Sequence, residues 1–148
     1  MKIRKGIDKI LAGFGNVKAS ERSHVDSFTE EIINSVEGEK IAASENGQIW
    51  IEYQELGGFQ FLNLTILSKF NIKTKKKCKM HFLGGASELI LTSDDEEIES
   101  DYSNVSNRWI TTMSFDISDD EIKFIDNKVA EEIHIEYKKK TISFQVIK

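Results

Sequence analysis

The stretch that decides the fold is QFLNLTILSKFNIKTKKKCKMHF, from Gln60 to Phe82, in which apolar side chains recur at the even positions. Glycine pairs flank it, Gly57-Gly58 before and Gly84-Gly85 after. An apolar period of two is typical of a strand with one buried face, and glycine pairs are typical of turns. Fully extended, the stretch would span about 70 Å, far more than an ordinary strand, so we expect it to bend or fold back near Ser68-Lys69. The sequence therefore predicts a large, curved sheet.

Two hairpins are predicted around the first half of this stretch. Asn46-Gly47 is a strong hairpin signal and links a weak strand around Ile41 to a strand over residues 48–55. A turn at Gly57-Gly58 would then place six apolar side chains on one face. The predicted pairs are Tyr53 with Leu62, Ile51 with Leu64 and Ile49 with Ile66.

The second half of the stretch is predicted to pair across Gly84-Gly85 with residues 89–98. The predicted pairs include Met80 with Ile90 and Ile72 with Ile98. Because residues 89–91 are three consecutive apolar residues, the pattern leaves open a slip of one residue.

The remaining chain predicts a loop at 99–107, a strand at 109–117, a short helix and a hairpin. Ser118-Asp-Asp-Glu121 is a capping box, which predicts a helix near 119–127. Three residues should face the core from it, namely Ile122, Ile125 and Val129. A final turn at Lys139-Lys140 would pair Tyr137 with Ile142, Ile135 with Phe144 and Ile133 with Val146.

Two amphipathic helices are predicted at the N-terminus, over residues 2–14 and, after the capping box Ser27-Phe-Thr-Glu30, up to Gly38. The predicted fold class is α+β, with both helices packed on a curved, mostly antiparallel sheet of about seven or eight strands, arranged as a sandwich or partial barrel. We expect one domain over residues 1–148, with a helical segment at 1–38 and a mainly β region at 39–148.

Composition points to a cytoplasmic protein. Apolar residues make up 39% and charged residues 30% of the 148 residues, which predicts an ordered core. Asp8 and Lys9 interrupt any apolar segment of an export signal, and no apolar run is long enough to span a membrane. The single cysteine, Cys78, falls on the apolar face of its strand, where a buried, inert thiol is expected. The net charge of −5 makes nucleic acid an unfavourable partner.

The most unusual surface feature is a lysine row, formed by Lys73, Lys75, Lys77 and Lys79 at the odd positions of one strand. Such a row is suited to an anionic partner. No aromatic or arginine residue interleaves with it, unlike the usual surface that binds nucleic acid. The alternative is a solvated face that neutralises itself, with Lys75 opposite Asp95 and Lys73 opposite Glu97.

An acidic run, formed by Asp94, Asp95, Glu96 and Glu97, is predicted to be a solvated loop or an acidic docking surface. It lacks the spacing and the central glycine of a calcium-binding EF-hand loop. Trp50 lies opposite the apolar face of its strand, so it is either an exposed anchor for a protein partner or covered by an N-terminal helix.

The sequence contains no recognisable catalytic or metal site. His24, His81 and His134 are far apart in sequence and do not follow zinc-ligand spacing. The glycines at Gly13 and Gly15 follow a predicted helix, where they end it, whereas a phosphate loop precedes its helix. We therefore expect no cofactor and no metal.

By elimination, the sequence predicts a protein-binding module without catalytic activity, such as an adaptor, an inhibitor or immunity-type protein, or an assembly subunit. Its candidate interaction surface comprises Trp50, the lysine row and the acidic run. Two alternatives remain open: a carrier of a small apolar ligand in a cavity of the curved sheet, and an enzyme whose site is assembled by folding. Partner identity and oligomeric state do not follow from the sequence.

Overall fold

The computed structural model describes residues 29–85 and 87–148. Residues 29–34 are helical (α1), and a second helix, α2, covers Asp119–Asp126. The strands are β1 Glu39–Ser44, β2 Gly47–Leu56, β3 Phe59–Ser68, β4 Lys79–Leu83, β5 Leu89–Thr92, β6 Ser100–Ser103, β7 Arg108–Asp116, β8 Glu132–Tyr137 and β9 Lys140–Val146.

Within the described residues, nine strands form one antiparallel sheet in the order β5-β4-β8-β9-β1-β2-β3-β7-β6, curled into a half-barrel. The prediction of a curved, mostly antiparallel sheet is confirmed, with nine strands in place of seven or eight. The helix predicted at 2–14 and the first residues of the second predicted helix lie outside the described residues. Within the described ranges, neither helix is long and apolar enough to cross a membrane.

The predicted register of the β2–β3 hairpin is confirmed at every pair. Ile49 lies opposite Ile66, Ile51 opposite Leu64, and Tyr53 opposite Leu62. The bend is also confirmed, because β3 ends at Ser68 and the chain runs irregularly until β4 begins at Lys79. Glycines permit the turn that sets this register, since Gly57 and Gly58 have φ values of 58° and 85°, as a tight two-residue turn requires.

Both pairs predicted across Gly84-Gly85 are wrong. Met80 pairs with Leu91 instead of Ile90, which leaves Ile90 49% exposed. The slip occurs within three consecutive apolar residues, where alternation cannot specify which one faces the core. Ile98 likewise pairs with Thr74 instead of Ile72.

The C-terminal hairpin turns one residue earlier than predicted. Lys138 adopts a positive φ of 54°, so the two-residue turn is Lys138-Lys139 and Tyr137 pairs with Lys140. Ile135 therefore pairs with Ile142, a shift of two residues that keeps the same side chains on the buried face.

The capping box of α2 is confirmed, because the Ser118 hydroxyl accepts from the Glu121 amide while the Glu121 carboxylate accepts from the Ser118 amide. Ile125 is buried as predicted, and Ile122 packs against the core. Val129 was predicted to face inward but is 39% exposed. The helix ends at Asn127 and the chain turns at Lys128, so Val129 leaves the helical face.

The main core fills the concave side of the half-barrel. It contains the inward residues of β2 and β3 together with residues from β4, β7, β8 and β9. Its largest fully buried side chains include Phe115, Phe144, Leu62, Leu64 and Met80. Each such side chain contributes about 1.5–3 kcal/mol when it leaves water, so this core is the principal source of stability.

The segment 93–100 joins the two sides of the curled sheet. Towards β4, the Ser93 amide donates to the Cys78 carbonyl at 2.8 Å, and the Cys78 amide donates to the Ser93 hydroxyl at 2.9 Å. Towards β7, the Asp94 amide donates to the Ser114 carbonyl at 2.7 Å, and the Ser114 amide donates to an Asp95 carboxylate oxygen at 2.8 Å. The curled sheet leaves a gap between its β4 side and its β7 side. We call this segment the seam, because it satisfies backbone groups on both sides of that gap.

A smaller cluster lies on the convex side, where α1 covers β2, β3 and β7. Ile33 of α1 packs there with Leu67 and Ile110, and with the half-buried Trp50. The Glu30 carboxylate anchors the helix by accepting from the Ser103 and Ser106 hydroxyls at 2.8 and 2.6 Å. These hydrogen bonds, reinforced by Arg108 at 3.9 Å, lower the pKa of Glu30.

Gly47 permits the close approach of β2 to β3. A Cβ atom at this position would lie 1.9 Å from the Leu67 carbonyl oxygen, whereas a Cβ atom at Gly58 would contact nothing within 4 Å. We expect Gly47→Ala to lower the free energy of unfolding by about 3 kcal/mol or more, because backbone must move to relieve the clash. Gly58→Ala should cost only the strain of its positive φ, about 1 kcal/mol. Urea unfolding measures both, and equal losses would contradict the close approach.

The Glu30 anchor predicts a pH-dependent stability. Because folding lowers the Glu30 pKa, the ionised carboxylate stabilises the fold above its unfolded pKa of about 4.3, and this contribution disappears as the pH falls through the folded pKa. We expect Glu30→Gln to cost about 1–2 kcal/mol at neutral pH and progressively less below about pH 4. Thermal unfolding at several pH values measures this difference. The exposed neighbour provides the control, Glu31→Gln, and a Glu30→Gln effect that does not change with pH would contradict the anchor.

Candidate functional site

Two separate segments bring six lysines to one groove. Lys73, Lys75, Lys76 and Lys77 come from the irregular segment before β4, and Lys138 and Lys139 come from the β8–β9 turn. The groove has a volume of about 560 Å³, and within residues 29–85 and 87–148 its lining consists of these six lysines and the buried Thr74. We call it the lysine groove. It contains three of the four residues of the predicted lysine row, and the exposed Lys79 does not line it.

Hydrogen bonds hold the backbone of the groove in place. Thr74 exchanges two backbone hydrogen bonds with Ile98 of the seam, at 3.0 and 2.9 Å. The Thr74 hydroxyl accepts from the Lys76 amide at 3.0 Å. On the other side, Lys79 pairs with Glu136 across β4 and β8, which brings the β8–β9 turn beside the lysine segment. The lysines therefore project from a fixed backbone.

The lysine side chains of the groove are not held in ion pairs by the residues that the structure describes. Among the described residues, none of its six lysines forms an ion pair within 4.0 Å. The sequence suggested that Lys75 would face Asp95 and that Lys73 would face Glu97. The observed bridge between Thr74 and Ile98 shifts this register, and Asp95 bonds to β7 instead.

The acidic run has two parts with different surroundings. Asp94 and Asp95 bind the free edge of β7, where an Asp94 carboxylate oxygen accepts from the Asp116 amide at 3.3 Å and Asp95 accepts from Ser114. Partial burial raises the pKa of Asp94. Glu96 and Glu97 are exposed. All four residues of the acidic run are thus exposed to solvent, and the first two also form hydrogen bonds of the seam.

Trp50 is covered, as one of the two sequence-based interpretations proposed. It is half-buried and packs against the cluster of Ile33, Leu67 and Ile110 beneath α1. It does not line the lysine groove. The structure therefore separates Trp50 from the lysine groove, whereas the bridge between Thr74 and Ile98 brings the end of the acidic run beside the groove.

The structure brings together two histidines that are far apart in sequence. His81 and His134 are cross-strand neighbours on β4 and β8, with carboxylates 3.3–3.5 Å from each imidazole. No group of three or more histidine, cysteine or acidic residues in the described ranges is arranged to hold a metal ion. Cys78 is fully buried, and burial raises the pKa of its thiol to about 11, as expected for an inert cysteine.

A second concavity, which we call the cleft, lies at the opposite end of β8 from the lysine groove. It has a volume of about 400 Å³ and lies between the end of α2 and the sheet. Its polar residues are Glu39, Tyr53, Asp126 and Lys128, and the Tyr53 hydroxyl donates to Asp126 at 3.0 Å. Burial and the hydrogen bond to Asp126 raise the pKa of Tyr53. No sequence motif marks this site, because its residues come from several strands and from the end of a helix.

Comparison with known proteins gives no significant match to any family model, curated protein or solved structure.

The seam predicts that two neighbouring acidic residues differ in their contribution to stability. We expect Asp95→Ala to lower the free energy of unfolding by about 1 kcal/mol, because the Ser114 amide loses a charged acceptor. Asp95→Asn retains an acceptor and should cost less. The matched control is Glu96→Ala, which changes the same charge at an exposed position and should have an effect within about 0.5 kcal/mol. Chemical denaturation together with hydrogen exchange at Ser114 provides the measurement, and equal losses for the two alanine variants would contradict the role of Asp95.

Proposed function

We propose that the chain is a protein-binding module that contacts an acidic protein surface through the lysine groove. The observation that carries this proposal is the convergence of six lysines, from two segments distant in sequence, without an ion pair among the described residues. Unpaired like charges repel one another, and an anionic partner removes that repulsion. Complementary charge also accelerates association and disfavours wrong partners.

A protein partner is favoured over nucleic acid by what lines the groove. Among the described residues, its lining consists of Thr74 and lysines, without an aromatic ring on which a base could stack. The same described lining contains no arginine, the side chain best suited to bidentate phosphate recognition. The net charge of −5 opposes the approach of a long polyanion, whereas a local acidic patch on a protein needs only the groove itself.

Such a module could serve as an adaptor, as an inhibitor or immunity-type protein, or as an assembly subunit. All three roles require a preformed contact surface and no chemistry of their own. The fixed backbone of the groove favours this mode of action, because a preorganised surface loses less conformational entropy when it binds. The cleft favours ligand binding as a second candidate function.

The proposal predicts that charge reversal in the groove strongly weakens binding to an acidic peptide. The variant combines Lys75→Glu, Lys77→Glu and Lys139→Glu, and the probe is a fluorescently labelled polyglutamate peptide followed by anisotropy at about 50 mM and about 200 mM salt. We expect the wild-type protein to bind the peptide and the variant to bind at least about tenfold more weakly.

The matched control has the same charge change at exposed lysines outside the groove, in the variant Lys40→Glu, Lys123→Glu and Lys148→Glu. It should retain most of the affinity. Equal weakening in both variants would show that only net charge matters and would overturn the groove as a site. A single-stranded RNA of matched charge serves as a competitor, and tighter binding of that RNA would overturn the choice of a protein partner.

A further inference from the structure

The cleft has the size and composition of a small-molecule site. Its volume of about 400 Å³ falls within the range of about 300–1,000 Å³ that is typical of ligand pockets. It opens at an end of the half-barrel, a position where such sites commonly occur. This site is independent of the lysine groove, which involves the other end of β8.

The base of the cleft is apolar. Ile41, Phe82 and Ile133 line it and are at most 6% exposed, while Phe124 and Val146 are half-buried at its sides. Two aromatic rings and several branched aliphatic side chains thus face the same space. A ligand that enters must present an apolar body, because the base offers that body no polar side chain.

The polar groups of the cleft lie at its more exposed edge, which we call the polar rim. Tyr53 donates to one oxygen of Asp126, and among the described residues the other oxygen of Asp126 accepts no hydrogen bond. Lys128 lies 3.7 Å from one carboxylate oxygen of Glu39. Tyr53 stays neutral at ordinary pH, so the rim contains two carboxylates and one ammonium group. Its net charge is therefore negative.

We propose that the cleft binds a small apolar amine, with its hydrocarbon body on the apolar base and its ammonium group against Asp126. The free oxygen of Asp126 is the acceptor for that group, and the Tyr53 hydrogen bond orients the carboxylate. An apolar carboxylate of the same size would meet two anions and one cation and is disfavoured. The charge of the polar rim thus selects between head groups, while the apolar base sets the size of the body.

Lys128 is the residue of the rim that opposes a cationic ligand. It follows the C-cap of α2 with a φ of 53°, a conformation that favours glycine at this position. This conformation places its ammonium group beside Glu39, where it reduces the negative charge of the rim. Replacing Lys128 with glycine should therefore relieve backbone strain and strengthen the attraction for an amine at the same time.

Three probes with similar bodies and different head groups test the proposal: phenethylamine, phenethyl alcohol and hydrocinnamate. Each is titrated into the isotopically labelled protein, and amide shifts are followed by two-dimensional NMR. We expect phenethylamine to shift amides around Phe124, Asp126 and Val146. We expect the alcohol to bind several-fold more weakly and hydrocinnamate at least about tenfold more weakly.

Three variants distinguish the effect of the rim charge on binding from the effect of the cavity volume. Asp126→Asn keeps an acceptor for Tyr53 and should weaken phenethylamine about tenfold while leaving the alcohol nearly unchanged. Lys128→Gly should strengthen phenethylamine, and Ala130→Leu, which extends a buried side chain into the cleft, should weaken all three probes. Each variant is first checked for a native-like spectrum. Equal affinity for the three head groups, shifts confined to residues outside the cleft, or the absence of shifts would overturn the proposal.

Discussion

The hydrogen bonds of the seam are the constraint on which the rest of this structure depends. A curled antiparallel sheet leaves unpaired backbone groups along both sides of its gap, and such edges recruit other strands. Here β6 pairs with only the first part of β7, from Arg108 to Thr111. Beyond that point the seam takes over, through Asp94 and Asp95 on β7 and through Ser93 on the segment before β4. The same segment supports the lysine groove, because Thr74 is bonded to Ile98 of the seam.

Local signals were sufficient to predict part of the fold. The Gly57-Gly58 turn and strict alternation on both sides determined the β2–β3 register, and the capping box at Ser118 determined the start of α2. The errors occur where alternation stops. Three consecutive apolar residues at 89–91 do not show which one faces the core, and the lysines at 138–140 do not show where the chain turns. In both places, packing against distant strands decides the register.

The candidate sites depend on contacts that no sequence pattern contains. The lysine row was visible because its residues are neighbours in sequence, but the contribution of Lys138 and Lys139 depends on the pairing of β4 with β8. The cleft was invisible, because Tyr53 and Asp126 are separated by most of the sheet in sequence. For the acidic run, the sequence predicted only a cluster of negative charge and none of its hydrogen bonds. Its bonds to Ser114 and Asp116 require the sheet to curl, and curling is a property of the whole chain.

The lysine groove and the cleft lie at opposite ends of β8, so a cationic surface and a rim of net negative charge are separated along one strand, and the net charge of −5 conceals both. Ile133 in the cleft and Lys138 in the groove are about 17 Å apart along the strand, at about 3.3 Å per residue. This separation exceeds the Debye length of about 8 Å at physiological ionic strength, so salt ions largely screen each site from the field of the other. A charge placed at one site should therefore hardly change the electrostatic potential at the other site at physiological ionic strength, and the two sites should become coupled only as the salt concentration falls.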